Sequence, residues 1–181
     1  LSWKMRELQY RTRMIELASE INAEMPEFVV DKITHALNQD RKPVNGSRIL
    51  VLGIAYKKDI DDLRESPALE VMRLLQELGA EVGYHDPFCP EIRDDGHTPL
   101  EALPMRSLPL TDDVLAGADA VVVVTDHSNV DYARVAAHAK LVVDTRGVMR
   151  GVSGTARVVG LSGSEQKSGG VVHGLETTTK Y

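Results

Sequence analysis

Two short apolar runs constrain this chain more than anything else in it: Ile49-Leu-Val-Leu52 and Val121-Val-Val-Val124. Unbroken runs of aliphatic, largely β-branched residues bounded by turn formers suit strands buried on both faces. Such strands belong to parallel sheets whose two faces are covered by helices. The surrounding residues agree. Residues 48–55 read as a first strand. Ser66 is placed to cap a helix with Pro67 at its first position. Val71, Leu74, Leu75 and Leu78 provide that helix's buried face, and Gly79 ends it. Residues 81–85 read as a second strand, stopped by Asp86-Pro87. A short strand is expected within 105–110, a short helix over 111–116, a strand over 118–125, a helix over 130–139, a strand over 140–144 and a last strand over 157–161. This alternation predicts an α/β fold: a doubly wound, mainly parallel, Rossmann-like sheet occupying residues 41–161.

The residues before it are helical in pattern. Met14, Leu17, Ala18, Ile21, Met25, Phe28, Val29, Ile33 and Leu37 recur at steps of three and four and draw one apolar stripe. Residues 1–40 therefore form a long helical segment, with a kink or a restart expected at Pro26. The stripe needs a surface to pack on: the domain that follows, one that precedes, or a second copy of the chain. Residues 40–47 form a turn-rich connector. From residue 162 to 181 the chain is rich in glycine, serine and threonine, and a disordered tail is expected.

Composition removes several classes of function. The net charge is −6, and no basic run interleaved with aromatics offers a nucleic-acid surface. The single cysteine, Cys89, excludes an internal disulfide and a cysteine-rich zinc site, and it points to a reducing, cytoplasmic setting. No apolar stretch approaches the ~20 residues that span a bilayer. The six histidines show no metal-ligand spacing, so no metal is expected. The opening Leu1-Ser-Trp-Lys-Met lacks the layout of a signal peptide and reads as a chain entered midway.

In a doubly wound sheet ligands bind beyond the carboxyl ends of the strands, and three segments fall there. After the first strand comes Tyr56-Lys-Lys-Asp-Ile-Asp-Asp-Leu-Arg-Glu-Ser66. A dinucleotide loop needs glycines in Gly-x-Gly-x-x-Gly spacing, and only Gly53 is present. The turn offers side chains instead: Lys57 as a mobile charge and Arg64 as a bidentate fork before a helix start. Alternatively Lys57, Lys58 and Arg64 pair with Asp59, Asp61, Asp62 and Glu65. The second segment is Thr125-Asp-His-Ser128. A histidine beside a carboxylate is a candidate acid–base pair, but the favoured reading is a turn in which Asp126 or Ser128 caps the next helix. The third, Asp144-Thr-Arg-Gly147, puts Arg146 where it can reach an anionic group, or simply pairs it with Asp144. Asp86 reads as a turn former. Cys89 has no basic neighbour in sequence and is not expected to be a nucleophile.

Taken in order, these segments resemble a known family. Gly53-Ile-Ala-Tyr-Lys-Lys-Asp-Ile-Asp-Asp-Leu-Arg-Glu-Ser-Pro-Ala-Leu-Glu70, Tyr84-His-Asp-Pro87, Ala118-Asp-Ala-Val-Val-Val-Val-Thr125 and Val143-Asp-Thr-Arg146 resemble the sugar-nucleotide-binding domain of the UDP-glucose/GDP-mannose dehydrogenases. Arg13-Met-Ile-Glu-Leu-Ala18 and Phe28-Val-Val30 are similar to the helix that joins that family's two halves and builds its dimer. The resemblance covers residues 1–161. Glu20-Ile-Asn-Ala-Glu-Met-Pro26 and the Tyr56–Asp59 turn lean toward the branch that oxidises UDP-N-acetylhexosamines, with UDP-N-acetylglucosamine favoured and UDP-glucose as the alternative. The resemblance implies an NAD-dependent oxidation of the sugar's C6 hydroxyl to a carboxylate by way of a cysteine thioester. It implies that Tyr56, Lys57 and Arg146 hold the UDP-sugar and that Arg64 reaches the NAD pyrophosphate. The family's nucleophilic cysteine and NAD domain precede the segment that resembles Leu1-Ser-Trp-Lys4. This chain is therefore expected to contain no catalytic residue and to be inactive alone. A free-standing nucleotide-sugar-binding module is the second possibility, and a receiver-like interaction domain the third.

Overall fold

The computed structural model describes residues 2–93, 100, 104–161 and 165–167. A long helix, α1 (Ser2–Gln39), leads into β1 (Arg48–Leu52), α2 (Pro67–Glu77) and β2 (Glu81–His85). Then come β3 (Glu91–Ile92), β4 (Met105–Arg106), α3 (Asp112–Gly117), β5 (Ala120–Val123), α4 (Tyr132–His138), β6 (Leu141–Asp144), β7 (Arg157–Gly160) and β8 (Glu165–Lys167). The main sheet has strand order β2-β1-β5-β6-β7-β8. Its first five strands are parallel, and β8 is added antiparallel at the edge. The expected α/β fold with a mainly parallel sheet is the fold observed.

Alternation along each strand divides the core between the two faces. Ile49, Val122, Leu141 and Val143 pack with Val71 and Leu75 of α2 and with Val29, Ile33 and Leu37 of α1. Leu50, Leu52, Val121, Val123 and Val142 pack on the other face with Leu115 near the end of α3 and Val135 and Ala136 of α4. Ile33 and Leu37 are fully buried, each contributing on the order of 1.5–3 kcal/mol. The second half of α1 is thus part of the α/β core. Arg157 secures its end, donating to the Ala36 carbonyl and to Asp40, both at 2.7 Å. The first half differs: Met14, Ile15, Leu17 and Ile21 are all exposed.

Several expectations need correction. The helix does not restart at Pro26 but runs through it. Proline removes the hydrogen bond to the carbonyl four residues back. That residue, Asn22, lies in the exposed half, where water can take the place of the lost donor. The first strand ends at Leu52, three residues early, because Gly53 turns to φ +75. The strand expected within 105–110 is only Met105–Arg106, and it pairs with β3, which was not anticipated, in a separate two-stranded sheet. Within the expected disordered tail, Glu165–Lys167 forms β8; the remainder, 162–164 and 168–181, lies outside the described residues.

Candidate functional site at the switch point

From β1 the chain steps through α2 to β2 on one side, then crosses back to place β5 on the other. The strand order reverses between β1 and β5, and doubly wound sheets bind ligands beyond the carboxyl ends of the strands at such a point. The turns after β1, β2, β5 and β6 converge there.

Gly53 makes the convergence possible. Its N–H donates to the His85 carbonyl at 2.9 Å, and a Cβ added to it would lie 2.1 Å from the Thr125 carbonyl oxygen. Thr125 Oγ1 donates to the Ala55 carbonyl at 2.7 Å, and Ser66 Oγ to the Ile54 carbonyl at 2.6 Å. The Tyr56 N–H donates to the Asp62 carbonyl at 2.7 Å, pinching 57–61 into a projecting loop. Tyr56 and Lys57 stand on this loop, the Lys57 ammonium 5.3 Å from the centre of the exposed Tyr56 ring.

Asp86 ties the turns together. Read from sequence as a turn former, it is a buried hub. Its Oδ2 accepts from the N–H groups of Ile54 at 2.7 Å and Ala55 at 3.1 Å. Its Oδ1 accepts from Phe88 at 2.8 Å and Cys89 at 3.0 Å. His127, also fully buried, places Nε2 3.0 Å from Asp86 Oδ2. Burial alone would push the Asp86 carboxyl up; the N–H donors from Ile54, Phe88 and Cys89, with His127, outweigh it and hold it below the usual carboxylate value.

Arg146 and Lys58 are disposed differently from the sequence expectation, whereas Arg64 pairs with Asp62, one of the carboxylates it was expected to meet. Arg146 does not pair through its side chain with Asp144. Asp144 is buried and accepts the backbone N–H groups of Arg146, Gly147 and Met149. The Arg146 guanidinium instead donates Nε to Asp126 Oδ1 at 3.0 Å. Lys58 approaches the other oxygen of Asp126 at 3.6 Å. Burial raises the Asp126 carboxyl, but Arg146 and Lys58 hold it below the ordinary range. Asp126 is therefore no helix cap, and neither is Ser128: α4 is capped by Asp131, which accepts from Arg134 N–H. Ser128 serves Asp59, donating its N–H at 2.8 Å and its hydroxyl at 2.7 Å.

Arg64 lies on the far limb of the loop, highly exposed, gripping Asp62 at 2.9 and 2.8 Å. Its hydrogen bonds pull the Asp62 carboxyl down to about 2. The turn does not fit a dinucleotide: one glycine approaches the neighbouring turn, and side chains fill the rest. Cys89 is buried, and burial beside Asp86 pushes its thiol up to about 12, which leaves no nucleophilic thiolate near neutral pH. Among the described residues no group of histidine, cysteine or acidic side chains is arranged to hold a metal ion, and no helix is long and apolar enough to cross a membrane.

The structure thus brings Arg146 and Lys58 together on Asp126, sets Tyr56 and Lys57 on the adjoining turn, and keeps Arg64 apart. Sequence reasoning missed Lys58, Asp126, Asp86 and the buried role of His127. The only signals were doubling of lysine and a carboxylate beside a histidine, and neither identifies a partner distant in sequence.

Known proteins of this architecture carry related sequences. The model of the UDP-glucose/GDP-mannose dehydrogenase family, UDP binding domain, matches residues 50–151. The UDP-N-acetyl-D-mannosamine dehydrogenase of Escherichia coli K12 is 32% identical over 150 residues, covering 77% of this chain and 33% of that protein. The solved UDP-N-acetyl-mannosamine dehydrogenase of Staphylococcus aureus superposes with a TM-score of 0.62 at 25% identity, over 85% of this chain and 34% of the other. A UDP-glucose dehydrogenase from Pyrobaculum islandicum gives 0.61 at 26% identity, over 80% of this chain and 31% of the other. The chain spans about a third of the length of the relatives it matches. With the family's domain model spanning its switch-point turns, the chain belongs to the UDP-glucose/GDP-mannose dehydrogenase family and carries that family's UDP-binding domain.

Proposed function

We propose that this chain is the UDP-sugar-binding part of an NAD-dependent nucleotide-sugar 6-dehydrogenase that acts on a UDP-N-acetylhexosamine. The observation that carries the reading is the convergence of Arg146 and Lys58 on Asp126 beside the Tyr56–Lys57 turn, at the sheet's switch point. Arg146 uses its Nε on Asp126; its terminal nitrogens make no hydrogen bond among the described residues and can take a phosphate oxygen. Lys57 adds a mobile charge, and Tyr56 a flat surface along the ligand. Asp126 holds Lys58 and Arg146 near each other before a diphosphate arrives.

The chemistry belongs to the whole protein. Two hydrides leave C6 for two NAD molecules, water supplies the second carboxylate oxygen, and the nucleophilic cysteine and NAD domain lie outside this chain. NAD is held chiefly by that domain, with Arg64 reaching its pyrophosphate once it turns from Asp62. The helical segment 1–40 links the two halves and, through Met14, Leu17 and Ile21, pairs with a second copy in a homodimer; the setting is cytoplasmic. Residues 41–161 form the sugar-nucleotide unit. The relatives named for N-acetyl-mannosamine support the acetylated branch, with UDP-N-acetylglucosamine and its mannosamine epimer as first substrates. UDP-glucose is the second reading, supported by the similarity to the Pyrobaculum enzyme.

Full-length protein given excess NAD and a limiting amount of either UDP-N-acetylhexosamine is expected to form about two NADH per sugar, followed by absorbance. No NADH with these sugars or with UDP-glucose would leave the free-standing binding module as the better account.

A further inference from the structure

His127 is fully buried at the switch point, with both ring nitrogens engaged and no opening to a ligand. Nδ1 accepts from the Asp59 N–H at 2.9 Å. A nitrogen that accepts carries no proton, so the proton sits on Nε2 and is donated to Asp86 at 3.0 Å. The Phe88 ring packs against the imidazole, centroids 5.0 Å apart, and the Tyr132 hydroxyl donates to the His127 carbonyl at 3.3 Å.

The backbone that this ring holds is a strained one. Asp59 stands at φ +59, left-handed for a non-glycine residue, a conformation that persists only where the surroundings enforce it. They do so from two directions: His127 takes the Asp59 N–H, and Ser128 donates twice to its carboxylate. The turn carrying Tyr56, Lys57 and Lys58 is thereby fastened to the turn after β5 through two consecutive residues.

We infer that His127 is a positioning residue for UDP-sugar binding: its neutral ring locks the 56–59 turn so that Tyr56, Lys57 and Lys58 are ordered before the ligand arrives. The inference rests on the UDP-site reading above. His127 touches no ligand and moves no proton; it removes from binding the cost of ordering the loop.

Two variants separate this role from plain support of the fold. His127→Gln keeps an N–H at the Nε2 position toward Asp86 while its carbonyl oxygen lies off the Nδ1 position that Asp59 N–H reaches, whereas His127→Asn places a carbonyl oxygen near the Nδ1 position. In full-length protein titrated with UDP by calorimetry, His127→Gln is expected to weaken binding about tenfold or more and His127→Asn to stay within about threefold. Amide exchange at Asp59, read without ligand, should be fast in the glutamine variant and slow in the asparagine variant. If wild type binds UDP and His127→Gln binds equally well, the inference falls and the UDP-site reading stands. Equal losses in both variants, tracking their melting temperatures, also overturn it. If wild type binds no UDP, the UDP-site reading falls; unchanged Asp59 exchange in His127→Gln would then overturn the lock as well.

Discussion

Replacing Gly53 by alanine is expected to destabilise the protein by more than ~3 kcal/mol and to abolish UDP binding with it. Two costs add. Gly53 sits at φ +75, where an L side chain is strained by about 1–2 kcal/mol. The new Cβ would also lie 2.1 Å from the Thr125 carbonyl oxygen and 2.8 Å from its carbonyl carbon. Backbone atoms at the end of a central strand cannot step aside as a flexible side chain does. Thr125 is tied to Ala55 by its own hydroxyl, so relief requires parting the turns that form the site. Against a typical total of about 5–15 kcal/mol, such a loss is a large fraction of stability. Urea unfolding followed by circular dichroism measures it; a change under about 1 kcal/mol would mean that the ends of β1 and β5 do not approach in this way.

Asp86→Ala is expected to cost on the order of 3–5 kcal/mol. It deprives the N–H groups of Ile54, Ala55, Phe88 and Cys89, and His127 Nε2, of their acceptor in a buried place. Water cannot reach all of them without opening the core around Ile54 and Cys89. The substitution also changes the pH dependence of stability. Burial opposes the charged form, yet the backbone donors and His127 hold the folded Asp86 carboxyl below its ordinary value of 3.8. The folded state therefore binds this proton less tightly than the unfolded state. The contribution is complete above the unfolded value and is lost as pH falls through the lower, folded value. Denaturation series from neutral pH into the acid range should show wild type losing stability there more steeply than Asp86→Ala. Parallel curves for the two proteins would refute the role assigned to Asp86.

Local features of this fold were legible wherever one residue type has one mechanical use. Unbroken valines mark a strand covered on both faces, and Ser66 before Pro67 marks a helix start whose cap accepts the Ala68 N–H. Thr111, expected inside the short helix over 111–116, instead caps α3 by accepting the Val114 N–H. The short β3 and β4 have two residues each, too few to leave a periodic trace. No restart occurs at Pro26, because the cost of the proline depends on whether water can satisfy the Asn22 carbonyl, which is a property of packing rather than of the local sequence.

The candidate site was legible by its place on the sheet and, apart from Arg64 with Asp62, not by its pairings. Sheet topology alone places Tyr56, Lys57 and Arg146 beyond the carboxyl ends of the strands. Which carboxylate Arg146 and Lys58 meet depends on turns that come together only in three dimensions. Arg146 has Asp144 two residues away and uses Asp126 instead, because Asp144 is already committed to three backbone N–H groups. Lys58 likewise passes over its neighbour Asp59, whose carboxylate is held by Ser128. Asp86 and His127 are 41 residues apart, and their common environment exists only once β2 and β5 flank β1. Polar residues in short turns look alike in sequence whether they face solvent or a buried network.

We propose that the carboxyl edge of β1, β5 and β6 holds a uridine diphosphate through Lys57 and Arg146. Calorimetric titration of the full-length protein with UDP tests it most directly, comparing wild type with Lys57→Ala and Arg146→Ala. Saturable binding of one UDP per chain is expected. Loss of Arg146 should weaken it by about 1.5–3 kcal/mol, the worth of a charge-assisted hydrogen bond, and loss of Lys57 by a similar or smaller amount. Wild-type binding that both variants retain in full would contradict it.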